Sequence, residues 1–259
     1  MVTDLSEGQI TRAIIAAYHE KLLDRVIGDV VVVGAGPSGL VAATDLARGG
    51  LKVTVLEKRL SPGGGIWGGA MGMNEVVVQD KALRLLEETS VNYRSVGGGL
   101  YVVAGVELAS ALSLKAVQTG VVLLNLTVAE DLCMHRGRVT GVVANRSMLA
   151  EALPIDPIAL EARAVLDATG HDAALVELLR SRGLLEDLLG VAREGPMDAA
   201  TGESFVVDRV GEVYPGLWIC GMCVVATLRG PRMGPIFGGM LLSGRRAAEL
   251  MSDALRRSE

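Results

Sequence analysis

The stretch from Asp29 to Glu57 constrains this chain more than any other part of it. Residues 29–33 read Asp-Val-Val-Val-Val, a short β-branched run suited to a strand buried on both faces. The run leads directly into Gly34-Ala35-Gly36-Pro37-Ser38-Gly39; residues 38–48 then carry a helical pattern, and residues 52–56, Lys-Val-Thr-Val-Leu, make a second strand. A G-x-G-x-x-G alone is a weak signal, but between a strand and a helix each glycine has a physical purpose. Gly34 permits the tight turn, Gly36 lets the backbone approach a pyrophosphate, and Gly39 lets the helix lie close on the strand. The helix N-terminus then turns its amide donors and positive dipole end toward the phosphates. Glu57 ends the second strand, where a carboxylate can accept hydrogen bonds from both hydroxyls of an adenosine ribose. Its charge disfavours a 2′-phosphate, which points to NAD or FAD rather than NADP. The Ser38 hydroxyl either touches a phosphate or caps the helix, and both readings stand at this level.

The rest of the chain fits one α/β domain spanning residues 1–259, with this βαβ unit at 29–57. Half of the 259 residues are hydrophobic but only 3% are aromatic, so the core must be built from Val, Leu, Ala, Ile and Met. Ile10, Ile14, Ile15, Tyr18, Leu22 and Leu23 give residues 8–24 helical spacing, for a helix that packs on the sheet or on a neighbouring subunit. Helices are expected near 80–90, 107–118, 173–181 and 238–255, and strands at 101–103, 121–125, 160–168 and 217–220. A hairpin of 126–133 and 138–144, turned at His135–Gly137, reads as a β insertion in a three-layer fold. The net charge of −5, with no basic stripe, argues against nucleic acid as a partner. No apolar run reaches the roughly 20 residues that span a bilayer, and no signal peptide opens the chain, so a cytoplasmic protein is expected.

After Glu57 comes Lys58, then Ser61-Pro62-Gly63-Gly64-Gly65-Ile66-Trp67-Gly68-Gly69. This loop is similar to the second motif of glutathione-reductase-like, FAD/NAD(P)-binding proteins, and Pro62, Ile66 and Trp67 argue against a merely flexible linker. Three further blocks narrow the resemblance. They are residues 57–71, Glu-Lys-Arg-Leu-Ser-Pro-Gly-Gly-Gly-Ile-Trp-Gly-Gly-Ala-Met, residues 167–173, Asp-Ala-Thr-Gly-His-Asp-Ala, and the run from Gly230 to Leu250, which contains Arg-Met-Gly-Pro-Ile-Phe-Gly-Gly-Met. Together with the first motif they resemble the Thi4 family of thiazole synthases from the N-terminal helix to residue 250.

That resemblance implies an enzyme that uses NAD as a substrate. Nicotinamide is lost, the ADP-ribose is opened to a ketone, glycine condenses with it as an imine, sulfur is added, and an adenosine-diphosphate thiazole closes. Ser38, Glu57, Lys58, Gly64 and Gly65 fall in the loops that hold the adenosine and phosphates; Val128 matches the adenine pocket and Met222 a backbone contact to substrate. Arg232 matches the arginine that clamps the glycine carboxylate. Its guanidinium fork suits that task, although by itself an arginine between Gly230-Pro231 and Gly234-Pro235 is as readily a surface residue. Asp156 and His171 match the ligands of a ferrous ion, with Asp156 supplied by the neighbouring subunit of a homo-octamer. An oxygen and an imidazole nitrogen suit Fe(II), Mn(II), Co(II) or Zn(II). Without the resemblance, a lone histidine in the turn Thr169-Gly170-His171 is more often a structural residue. His19 and His135 read as surface positions with no role.

Some family members give up a cysteine sulfur two residues before the metal-binding aspartate, and others carry histidine there and use free sulfide. This chain has Pro154 at that place, which holds no sulfur, so free sulfide is the implied donor. Cys220-Gly-Met-Cys223 has redox spacing, but Cys220 ends an apolar strand, and both cysteines read as small buried hydrophobes. Three alternatives remain: an FAD-dependent oxidoreductase of the same fold, a sugar-phosphate isomerase of the ribose-1,5-bisphosphate type, and a non-enzymatic NAD-binding protein.

Overall fold

The structure, a computed structural model, describes residues 5–148, 156–185 and 194–258; Pro154 lies outside them. The chain opens with α1 (Glu7–Leu23), whose N-cap Ser6 and Gln9 form a reciprocal capping box at 3.2 Å each way. It then runs through β1 (Ile27–Val33), α2 (Pro37–Arg48) and β2 (Val53–Glu57). A separate antiparallel sheet follows, from β3 (Glu75–Gln79), β4 (Tyr93–Gly97) and β5 (Leu100–Ala104), with α3 (Leu83–Thr89) between its first two strands. Next come α4 (Gly105–Gln118), β6 (Val122–Asn125), the hairpin β7 (Thr127–His135) and β8 (Arg138–Arg146), β9 (Ile158–Asp167) and α5 (Ala174–Ser181). The C-terminal part holds β10 (Gly195–Met197), α6 (Ala199–Asp208), β11 (Gly211–Tyr214), β12 (Leu217–Ile219), α7 (Met222–Leu228), β13 (Pro231–Arg232) and α8 (Gly238–Arg257).

The main sheet has the order β11-β12-β9-β1-β2-β6, parallel from β12 to β6, with β11 antiparallel at its edge. This is a Rossmann-like α/β fold, as the sequence predicts. Val30–Val33 and all five residues of β2 are buried, which is why these strands read as unbroken apolar runs. The hairpin turns where expected and joins the sheet through β8, which pairs antiparallel with the first half of β9. Beside the sheet, α2 packs against α4 and α8.

Several elements escape the sequence pattern. In α7, Met-Cys-Val-Val-Ala-Thr-Leu is apolar all round and six of its residues are buried, so no amphipathic period marks it as a helix. In β4 every residue is exposed, and no alternation marks it as a strand. Gly202 lies inside α6, where it weakens the helical signal. The expectation that α1 packs on the sheet is corrected: no residue of α1 is buried, and Ile10, Ile14 and Ile15 are exposed. Only Tyr18 and Leu22 lean on the core.

Three helices are tied by one guanidinium. Arg245 of α8 donates to Asp45 of α2 at 3.0 Å and to Glu88 of α3 at 2.5 Å. The Arg245 hydrogen bond holds the Glu88 carboxyl below the ordinary glutamate range. A lowered folded-state pKa contributes stability that is complete above the unfolded value and lost as pH falls through the folded one. Glu88→Gln is therefore expected to cost about 1 kcal/mol at neutral pH, as a partly exposed ion pair does. The cost should vanish at a pH low enough to protonate Glu88 in the native protein. Denaturant melts at both pH values check this; an equal loss at both would show that charge is not the cause.

Candidate functional site

Parallel α/β sheets bind ligands beyond the carboxyl ends of their strands, where the chain reverses direction across the sheet. Here β1 continues to β2 on one side while β9 lies on the other, and a cavity of about 510 Å³ opens at that point. Its lining comes from the residues just past four strand ends: Gly34 and Gly36 after β1, Lys58 after β2, His171 after β9 and Met222 after β12.

The glycine turn after β1 is as tight as the sequence leads one to expect. Gly34 sits at φ +104°, and a Cβ there would come within 2.4 Å of the Ala168 carbonyl oxygen. A Cβ on Gly39 would lie 2.1 Å from the Gly34 oxygen, so α2 can approach β1 only without a side chain. Gly36 has nothing within 4 Å and leaves the cavity open to a close-lying phosphate. The second loop folds as a 3₁₀ turn over Gly64–Gly68 and is held in place. Gly63 N–H donates to Ala35 O at 2.7 Å, Trp67 Nε1–H donates to Pro62 O at 2.6 Å, and Ile66 is fully buried. Gly64 and Gly65 therefore line the cavity as a built wall.

Glu57 is buried and lines the cavity. Its Oε2 accepts from Ala35 N–H at 3.0 Å and its Oε1 from Arg59 N–H at 2.8 Å. A carboxylate has about four acceptor positions, so two remain for ribose hydroxyls. The helix-cap reading of Ser38 is corrected. Gly36 is the N-cap of α2, Pro37 takes the first turn, and Ser38 lies inside the helix, buried against Gly221 and Gly244 and lining the cavity. Lys58 reaches across the cavity rim to Asp172, Nζ to Oδ2, at 2.9 Å. Val128 of β7 and Met222 of α7 also line the cavity.

His171 stands in a 3₁₀ turn, Gly170–Asp172, directly after β9. Beneath that turn the fully buried Asp167 accepts from Thr169 and from Leu175 and Val176 at the start of α5, which anchors the strand end. Arg232 arrives from far along the chain. Its strand β13 pairs with β10 and rests on α6 at Gly202, where a Cβ would meet the Pro231 oxygen at 2.9 Å. Glu194 immediately precedes β10 and is thereby carried to both groups. One of its oxygens bonds His171 Nδ1, and Oε2 lies 3.3 Å from Arg232 Nε. Sequence reasoning missed Glu194, since no motif surrounds it; only the β10–β13 pairing brings it here.

Asp156 is the one predicted site residue the structure keeps apart. It is exposed just before β9, whereas His171 follows the other end of that strand. Ten residues of strand separate them, roughly 33 Å at ~3.3 Å per residue. One chain cannot bring both to a single ion, and among the described residues no three metal-ligating side chains cluster.

The cysteines behave as buried hydrophobes. Cys220 and Cys223 are fully buried, and burial pushes both thiols far up, away from the reactive thiolate. In the native protein iodoacetamide is expected to reach Cys133 alone, which is only partly buried, and all three after unfolding. Mass spectrometry of the labelled protein checks this; fast labelling of Cys220 or Cys223 would show an accessible redox pair. His19 and His135 are exposed, as predicted.

The model of the Thi4 family matches residues 11–237. A thiamine thiazole synthase of Thermococcus kodakarensis is 50% identical over 245 residues, covering 94% of this chain and 96% of that one. A thiamine thiazole synthase of Pyrococcus horikoshii is 48% identical, covering 95% and 96%. The crystal structure of Thermovibrio ammonificans THI4 superposes with a TM-score of 0.93 at 42% identity, covering 98% of this chain and 100% of that one.

Proposed function

The chain belongs to the Thi4 family, whose relatives named above make it an enzyme of thiamin thiazole synthesis, and we propose that it forms an adenosine-diphosphate thiazole from NAD, glycine and free sulfide. One observation carries this reading. A single cavity joins the glycine turn at Gly34 and Gly36 and the Glu57 carboxylate to an imidazole and a guanidinium, His171 and Arg232.

Each residue then has a task. The amides at the start of α2 and the open face above Gly36 take the pyrophosphate. Glu57 holds the ribose, and Lys58, freed from Asp172, adds a cation for the phosphates. Val128 borders the adenine. Arg232 pairs with the glycine carboxylate through its fork of donors. Pro154 offers no thiol, which favours sulfide from solution over a sacrificed side chain.

The donor set fits a ferrous ion. His171 lines the cavity with one ring nitrogen engaged by Glu194 and the other available, and a carboxylate completes a nitrogen–oxygen pair of the kind such ions take. Asp156 of a neighbouring copy is the proposed second ligand, since Asp156 of the same chain sits at the far end of β9. When bound, Fe(II) supplies Lewis acidity toward the condensed glycine. The exposed apolar side of α1 supports an assembly of several copies, for which we propose a homo-octamer. The cytoplasm is the proposed compartment; among the described residues no helix is long and apolar enough to cross a membrane.

The test is an anaerobic incubation with NAD, glycine, Fe(II) and sulfide, read by mass spectrometry of the small molecules. Adenylated thiazole in excess over enzyme is the expected result. Thiazole limited to one equivalent per chain would sink the sulfide reading. A protein that purifies yellow with flavin and leaves NAD intact would instead favour the oxidoreductase of the same fold.

A further inference from the structure

We propose that Glu194 is a positioning residue that sets both working groups of the site: it takes the Nδ1 hydrogen of His171, so that Nε2 is the metal-binding nitrogen, and it holds the Nε edge of Arg232. The inference rests on the proposed role of His171 and deepens it by assigning a residue outside the family motifs in the sequence.

The geometry supports this in three ways. First, the Glu194 side chain is only 15% exposed, while its partners His171 and Arg232 are 59% and 53% exposed. The carboxylate is the anchored member, and the two exposed groups lean on it. Second, its two oxygens are divided between the partners, Oε1 to the imidazole and Oε2 to the guanidinium. Third, β10–β13 pairing sets Gly195, the residue after Glu194, opposite Pro231, the residue before Arg232, with Asp198 N–H donating to Arg232 O at 3.0 Å just beyond β10. The spacing between the Glu194 carboxylate and the guanidinium is thus set by a short sheet, and the imidazole is tied to that pair through the carboxylate.

The chemistry follows from the donor inventory. A neutral imidazole carries one N–H, and a carboxylate beside Nδ1 fixes the hydrogen there, leaving the Nε2 lone pair for a metal. Metal-binding histidines commonly give their other N–H to such an acceptor, which orients the ring and raises its basicity. The guanidinium has two edges. With Glu194 on the Nε edge, the terminal nitrogens remain for a second carboxylate, that of a small amino acid.

The test uses the full-length protein, with anaerobic Co(II) titration in the presence of NAD and glycine, read by the cobalt absorption bands. Glu194→Ala is expected to raise the apparent Co(II) dissociation constant roughly 10–100-fold, the usual cost of losing such a partner. The bands should shift with it, while NAD affinity stays at the wild-type value. Glu194→Gln keeps an acceptor without the charge and should fall between the two; it carries the test if the alanine variant folds poorly. Wild-type Co(II) affinity and bands in both variants would overturn the role of Glu194 while leaving His171 as ligand. Absence of Co(II) bands from the wild-type protein would overturn the metal reading itself, and this inference with it.

Discussion

Arg232→Ala is expected to need roughly a hundredfold more glycine for half-maximal turnover while binding NAD as the unaltered protein does. The basis is the separation of tasks within the cavity. Arg232 comes from β13 and Glu57 from β2, so the proposed carboxylate clamp and the proposed nucleotide cradle stand on different elements. Truncating one partner of a hydrogen-bonded charge pair costs ~2–5 kcal/mol. Each ~1.4 kcal/mol is tenfold, so a loss near 3 kcal/mol gives two orders of magnitude. Arg232→Lys should rescue little, because an ammonium has no fork to match a carboxylate. Turnover against glycine concentration, with NAD affinity by calorimetry, decides the matter. A variant whose glycine dependence stays unchanged would leave Arg232 as a surface arginine paired with Glu194.

Glu57→Ala should have the larger effect on the protein as a whole. Glu57 is buried, and its oxygens satisfy the backbone amides of Ala35 and Arg59. Removing them strands two donors at about 1–3 kcal/mol each. For a chain of this size 1 kcal/mol is worth roughly 2–4 °C, so a fall in Tm on the order of 10 °C is expected. NAD affinity should fall further still, since the carboxylate that shapes the glycine turn is also the one proposed to receive the ribose. Glu57→Gln keeps one acceptor and should recover part of the stability but little of the affinity. Thermal melts with and without NAD separate the two losses. A Glu57→Ala protein with unchanged NAD binding would mean that the ribose is held elsewhere.

The candidate site divides by how far apart its residues lie in the chain. Gly34, Gly36, Gly39 and Glu57 are legible because their chemistry is local: a strand, a turn and a helix must follow one another for a pyrophosphate to be held. The loop from Gly63 to Gly69 is legible for the same reason, its aromatic anchor lying within the motif. Glu194 is not, because its position depends on β10 meeting β13 across α6 and α7, and no sequence period encodes that pairing. Of the two readings the sequence leaves open for Ser38, the cap falls away because Pro37 starts α2 one step earlier and Gly36 serves as its cap.

A parallel Rossmann-like core, the glycine turn that ends its first strand and membership of a family were legible from the residues alone, because buried β-branched runs and glycine turns act over a few residues. What stands opposite that turn came only from the packing of remote segments. The tertiary structure set His171, Glu194 and Arg232 side by side from three distant segments, and it placed Asp156 at the far end of β9. The reason is geometric. A strand is a rigid spacer, so residues near in sequence can end far apart, while strand pairing and a glycine-lined helix contact bring remote residues to one cavity wall.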